Sequence, residues 1–276
     1  MTTSAEPQAK TTRNRILVAL GAIIIFATYL YLVLAQPTEI AESSSSPAGL
    51  ITMLGFVVGA VLLAAGSIHR LSTVTITLIP VAIALNIAVG QLVAVLQLPV
   101  YLDAIGTVLV AVLAGPAAGI VTGILTNVIW GLLLNPISLP FAVVQVIIGF
   151  MAGYAARYGF FRRWYLAPIA GLVTGVVAAI FSAPIAAYIF GGTTSAGTGA
   201  IVAAFQAMGQ SVLGATTLQG LLSDPLDKLI TFTIVVLILA ALPARFRQRF
   251  PFAREYRVFG GARPASAPTS GEEAIG

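Results

Sequence analysis

Long apolar runs separated by short turn-forming breaks fill the chain from residue 16 to residue 242. A helix needs about 20 apolar residues to cross the hydrocarbon of a bilayer. The runs supply eight candidates: Ile16–Ala35, Gly49–Ile68, Ser72–Leu96, Val100–Leu113, Pro116–Leu134, Ser138–Arg157, Trp164–Phe190 and Asp224–Leu242. The fourth run has only 14 residues and reaches across if Gln97 to Asp103 supply an interfacial turn. The runs are continuous rather than alternating, which disfavours a transmembrane barrel. Gly115-Pro116, Asn135-Pro136 and the Ser43–Pro47 stretch read as the turns between them. The pattern predicts an all-α polytopic membrane protein with eight transmembrane helices.

Composition agrees. Hydrophobic residues make up 58% of the chain and charged residues 8%, with a mean hydropathy of +1.00. Soluble domains carry about 25% charged residues, so a globule of this size would lack a solvated surface. That excludes a soluble enzyme, a disordered protein and a secreted disulfide scaffold. The net charge of +5 does not signal nucleic acid, because the basic residues punctuate apolar runs instead of clustering on one face. The absence of Cys removes thiolate metal sites and Cys nucleophiles.

Orientation follows from the basic residues. With an internal N-terminus, eight spans leave residues 1–15, the His69-Arg70 joint, the Gly115 turn, 157–163 and the tail after Leu242 in the cytoplasm. Those segments hold 13 of the 14 Lys and Arg residues. The expected location is the cell membrane, with both termini cytoplasmic and the lipid bilayer as surroundings. Lys228 is the exception. Val33-Leu34-Ala35 offers a signal-peptidase ending, but the preceding apolar run of about 20 residues exceeds the usual 7–15. An uncut first helix is expected.

Small residues recur at every fourth position in several spans: Gly115, Gly119, Gly123, Asn127 and Gly131; Gln145, Gly149 and Gly153; Gly171, Gly175, Ala179 and Ala183; Pro80, Ala84 and Ala88. Residues four apart share a helix face, and small ones let helix backbones approach in lipid. The ladders predict a close-packed bundle. Asn127 and Gln145 interrupt or start two of them with amides, and a buried amide must meet another helix, a water or a ligand. Asn86, Gln91 and Gln97 carry the same alternatives.

Asp103, Asp224, Asp227 and Lys228 all fall at the outer ends of the fourth and eighth spans. Ionisable groups at such positions usually face a cavity or a partner, which suggests an outward-facing polar pocket. Asp224-Pro225-Leu226-Asp227 also reads as a helix start, with a capping Asp and Pro at the first helical position. Lys228 is expected to face inward, toward Asp103 or a ligand. The segment Gly191–Ser223 is too apolar for a free loop and too Gly-broken for a ninth span. It is expected to form a short helix pair across the outer face, or a re-entrant insertion.

Leu98-Pro99-Val100-Tyr101-Leu102-Asp103-Ala104-Ile105-Gly106, followed by Ala114-Gly115-Pro116-Ala117-Ala118-Gly119 and Gly123, resembles the core of the substrate-binding (S) components of energy-coupling factor transporters. Asp227-Lys228 near the start of the last helix, and the basic tail beyond it, are similar too. The resemblance spans about Leu71 to Arg249. It implies three parts: residues 1–70 as a tail with two extra N-terminal helices, residues 71–249 as a six-helix S-component-like bundle, and residues 250–276 as a disordered cytoplasmic tail. It further implies capture of a vitamin or similar small-molecule substrate at the outer face. Delivery would go through a transmembrane coupling subunit and ABC-type ATPases, which would use the ATP; no cofactor is expected in this chain. The loop Gln97–Asp103, with Tyr101 and Asp103, would shield the substrate. Asn127, Gln145 and Lys228 would lie on pocket-forming helices, and Ala84 and Ala88 would match the family's docking face.

An enzyme is not expected. His69 is the only His, no span contains Glu, and no Gly-rich nucleotide loop ends in Lys-Ser or Lys-Thr. A ligand-sensing receptor is the first alternative, although the 34 residues after Leu242 are too few for a signalling domain. A stand-alone secondary carrier is the second; it would normally hold a charge nearer the midplane.

Overall fold

The computed structural model describes residues 5–43 and 45–259. Among them the chain forms helices joined by turns and loops, with no strand. The α-helices are α1 (Ala5–Ala35), α2 (Glu39–Glu42), α3 (Pro47–Ser67), α4 (Thr73–Val95), α5 (Ile105–Ala114) and α6 (Pro116–Leu133). They continue as α7 (Ala142–Arg157), α8 (Leu166–Tyr188), α9 (Ala196–Ala207), α10 (Val212–Ala241), α11 (Ala244–Arg247) and α12 (Pro251–Glu255). Short 3-10 turns, Ile68–Arg70 and Pro136–Phe141, precede α4 and α7. Serine starts four of the helices: Ser46, Ser72, Ser195 and Ser211 each accept a hydrogen bond from the backbone N–H three residues on. These are N-caps that satisfy an otherwise orphaned donor.

Six helices are long and apolar enough to cross a membrane: α1, α3, α4, α6, α7 with its preceding 3-10 turn, and α8. They mark the chain as membrane-embedded. Helix α5 is different. Its ten residues rise only about 15 Å, and every residue from Ile105 to Leu113 is buried. It sits at the centre of the bundle against α4, α6, α7, α10 and α12.

Helix α10 overturns the reading of Asp224-Pro225 as a helix start. The helix begins at Ser211 and runs 30 residues straight through Pro225. Proline in a helix interior forfeits a hydrogen bond and crowds the preceding turn; here it packs against Gly175 of α8, where a Cβ would stand 2.5 Å from the Pro225 nitrogen. Asp224 is therefore a buried mid-helix carboxylate rather than a cap. The segment Gly191–Ser223 does form a helix pair, α9 and the first half of α10, but the second member is continuous with the last long helix.

The glycine ladders supply two tight interfaces. Between α6 and α7, a Cβ on Gly123 would lie 2.5 Å from the Gln145 carbonyl, and one on Gly149 would lie 2.5 Å from the Gly119 carbonyl. Between α8 and α10 the rungs run antiparallel. Gly171 faces the Lys228 carbonyl, Gly175 faces Asp224 and Pro225, and Ala179 faces Gly220. At the fourth rung the Thr216 hydroxyl donates to the Ala183 carbonyl at 3.2 Å. Small residues on α8 thus fix the facing stripe of α10, and Asp224 and Lys228 are two of its members.

The first two long helices are not a separate unit. Gly21 of α1 and Gly59 of α3 meet backbone to backbone, and the pair docks on α6 and α8. Tyr29 reaches Phe181 with ring centroids 5.6 Å apart. The expected boundary at residue 249 also falls within folded chain. Phe250, Ala253 and Val258 are buried, Phe252 covers Gly115, and the Phe259 N–H donates to the Phe161 carbonyl at 3.0 Å. Aromatic side chains of this segment close the bundle beneath α5, so the expected disorder does not hold for residues 250–259. Residues 260–276 lie outside the described residues.

These contacts define two ends. Gly66 lies against the backbone of Asn14, Gly115 against Phe252, and the loop at Phe161 against Phe259. That gathers the N-terminal part of α1, Arg70, Arg157, Arg162, Arg163 and the chain after α10 at one end. The α4–α5 loop, the Pro136–Phe141 turn and α9 lie at the other.

Candidate functional site

A cavity of about 130 Å³ opens at the end away from the basic residues. Tyr101, Asp103, Asn127, Gln145 and Lys228 all line it. They come from the α4–α5 loop, α6, α7 and α10, so five residues spread over 128 positions of sequence meet in one place. Apolar walls come from Leu98, Val100, Ile137, Phe141, Val144 and Ile148, with Trp130 beside them.

Lys228 is buried and paired. Its ammonium contacts Asp227 Oδ2 and stands 3.7 Å from Asp103 Oδ1. It does not pair with Asp224, one turn back, whose Oδ2 instead accepts a hydrogen bond from Ser182 Oγ at 3.0 Å. The helix spacing that allows an i, i+4 ion pair yields here to packing against α8, which turns the Asp224 carboxylate toward Ser182.

Asp227, expected among the ionisable groups of the pocket but with no assigned role, holds the site together. It is fully buried, and its Oδ1 accepts from the backbone N–H groups of Tyr101 at 2.9 Å and Leu102 at 2.7 Å. Those two amides belong to a loop under strain: Gln97 has φ 55° and Leu102 φ 49°. A side chain in this left-handed region costs roughly 1–2 kcal/mol. One carboxylate therefore fixes both the loop over the cavity and the Lys228 ammonium within it. Gly197 of α9 then covers the loop, where a Cβ would stand 2.6 Å from the Leu98 carbonyl oxygen.

The amides divide into structural and unsatisfied. Asn86 donates to Thr107 Oγ1 at 2.8 Å and Thr126 Oγ1 at 3.1 Å, and its Oδ1 accepts from the Gly106 N–H at 2.6 Å. Three helices are joined and the amide is spent. The chain of bonds continues as Thr107 donates to Gln145 Oε1 at 3.2 Å and Gln145 Nε2 donates to the Asp103 carbonyl at 3.1 Å. Gln145 thus orients the Asp103 backbone from inside the cavity. Asn127 is different. Its Nδ2 donates to the Ser138 carbonyl at 2.9 Å, while its Oδ1 is buried without a partner. A buried acceptor left unpaired costs about 1–3 kcal/mol, and this one lies just behind the cavity wall with almost no accessible surface.

Among the described residues no group of three or more His, Asp or Glu side chains converges as a metal site. Ala84 and Ala88 are not in the cavity; both are exposed on the outward face of α4. Sequence reasoning groups Asp227 with the ionisable residues of the polar pocket but assigns it no role, and it misses Ser182 and Trp130 as parts of the site. Nothing in the sequence separates Ser182 or Trp130 from other residues of their spans.

Fold and site together define a helical membrane protein with a largely apolar cavity near one end, closed by a loop that a buried carboxylate pins. No protein-family model matches the chain, and no curated protein or solved structure is significantly similar to it.

Proposed function

We propose that this protein is the substrate-capturing membrane subunit of an ATP-driven uptake system for a small micronutrient, as its resemblance to S components implies. The observation that carries the reading is the cavity. It lies at the end of the bundle opposite the basic residues, and its wall includes Tyr101, Asp103, Asn127, Gln145 and Lys228. Positive residues favour the cytoplasmic side, so in this reading the cavity end faces outward and both termini are on the cytoplasmic side of the cell membrane. In this reading the buried α5 and the charged α10 join the six long apolar helices to make eight membrane segments. The last six form the S-component-like bundle, and α1 with α3 is an addition packed on its side.

The chain binds and releases substrate and carries out no chemistry of its own. A transmembrane coupling subunit and two ATPases supply the driving force. Ala84 and Ala88, exposed on α4, form the surface offered to that subunit. The test is uptake by cells expressing the chain with and without coupling subunit and ATPases. Accumulation only in their presence supports the proposal. Full accumulation by the chain alone identifies a carrier, and high-affinity binding without accumulation in either case identifies a receptor.

A further inference from the structure

We infer that the cavity takes a small, positively charged nitrogen compound that donates N–H hydrogen bonds, and that it rejects anions of the same size. The inference rests on the reading of this cavity as a substrate site and concerns what that substrate is made of.

Size comes first. A cavity needs roughly 10–15 Å³ to hold one water, so a volume of about 130 Å³ admits a ligand on the order of ten non-hydrogen atoms. Charge comes next. Lys228 is the only cationic side chain on the wall, and its ammonium is already committed to Asp227 and to Asp103. Against this one cation stand three carboxylates: Asp103 and Asp224 on the wall, and Asp227 behind Lys228. A ligand carboxylate or phosphate would meet no free cation and two carboxyl groups on the wall, in a site where burial strengthens every charge interaction.

Hydrogen bonding points the same way. Asn127 is 2% exposed and its Oδ1 lacks a donor. Its Nδ2 is already used on the Ser138 carbonyl, so the amide cannot be flipped without losing that bond. Asp224 engages Ser182 through Oδ2, and its Oδ1 has no hydrogen-bond donor among the described residues. The open position on the wall, Asp224 Oδ1, is an acceptor. A protonated nitrogen centre supplies a donor to it and the missing positive charge together.

The test uses three planar molecules of nearly equal size that differ in charge: benzamidinium, benzamide and benzoate. The full-length purified protein in detergent is titrated with each at neutral pH, and thermal unfolding and equilibrium dialysis are followed. Benzamidinium is expected to stabilise the protein and bind at least tenfold more tightly than benzamide, with benzoate weakest. Asp224→Asn, which keeps the side-chain shape, is expected to reduce the benzamidinium preference over benzamide at least threefold. Its own unfolding transition shows that it is folded. Equal or stronger binding of benzoate overturns the inference, as does a preference unchanged in Asp224→Asn or no binding by any of the three. None of these results bears on whether uptake requires ATPase partners, so the transport reading stands or falls separately.

Discussion

Asp227 Oδ1 lies 2.7 Å from the backbone nitrogen of Leu102, although 125 residues separate the two. Leu102 has φ 49°, and the same oxygen also accepts from the Tyr101 N–H. The last long helix thus holds the loop that covers the cavity, in a backbone conformation the loop would not choose alone.

Replacing Asp227 by Ala releases two backbone donors and leaves the Lys228 ammonium beside only the more distant Asp103. Removing one partner of a buried ion pair typically costs about 3–5 kcal/mol. The variant is expected to unfold at lower temperature and to exchange the Tyr101 and Leu102 amide protons faster. Unchanged exchange at those two amides would show that the loop is held by something other than Asp227.

Asn86 offers a second test, because it caps α5 from another helix. The Ala104 position before α5 has no side chain able to cap it, and Asn86 of α4 supplies the acceptor for Gly106 instead. Asn86→Ala leaves that N–H without an acceptor and removes the donor to the Thr107 and Thr126 hydroxyls, which keep the bonds they donate to Gln145 and the Thr122 carbonyl. A loss of about 1–3 kcal/mol is expected for the unsatisfied buried groups. Asn86→Asp keeps the acceptor but loses both donated bonds, so it should recover only part of the loss. Equilibrium unfolding in mixed micelles measures both variants. A neutral effect of Asn86→Ala would mean that water reaches this part of the bundle.

The ladders made close helix packing legible in the sequence, because a four-residue repeat of small side chains has one geometric consequence in a helix, but they did not say which helices pair. The apolar runs likewise announced the long helices. What the pattern could not disclose was continuity and depth. Pro225 is a helix-starting residue by local chemistry, and only its fit against Gly175 allows α10 to run through it. The residues from 250 onward read as a disordered cytoplasmic tail, yet Phe250, Phe252 and Phe259 fill the end of the core. At the site, charge placement along the chain indicated which end would be polar. The pairing of Lys228 with Asp227 rather than Asp224 depends on side-chain direction around the helix, which spacing alone does not set.

The glycine contacts predict opposite outcomes for similar substitutions. A Cβ at Gly171 would stand 2.5 Å from the Lys228 carbonyl oxygen, and one at Gly175 equally close to the Pro225 nitrogen. Gly171→Ala and Gly175→Ala force α8 away from α10, and such overpacking costs about 1–3 kcal/mol. At Gly199 in α9 the nearest atom to an added Cβ is 3.4 Å away. Gly199→Ala should instead stabilise, since Ala is favoured over Gly in a helix by about 1 kcal/mol. Thermal unfolding of the three variants side by side reads the sign directly. Tolerance at Gly171 and Gly175 would mean that the α8–α10 distance is not set by these residues, and destabilisation by Gly199→Ala would mean that α9 cannot accept the added Cβ.

Which way the bundle faces can be read with single cysteines, because the chain contains none of its own. Gln210 is exposed in the turn between α9 and α10, at the cavity end, and Arg163 is exposed in the turn before α8, at the basic end. Neither carries a contact that holds the core, so Gln210→Cys and Arg163→Cys should fold normally. In intact cells a membrane-impermeant thiol reagent is expected to label Gln210→Cys at once and Arg163→Cys only after permeabilisation. Labelling in the reverse order would place the cavity end inside the cell. The positive-inside rule would then fail for this protein, and the cavity could not collect a substrate from outside. Labelling of both residues in intact cells would mean that the two ends share one side of the membrane, which is incompatible with the six long helices crossing it as a single bundle.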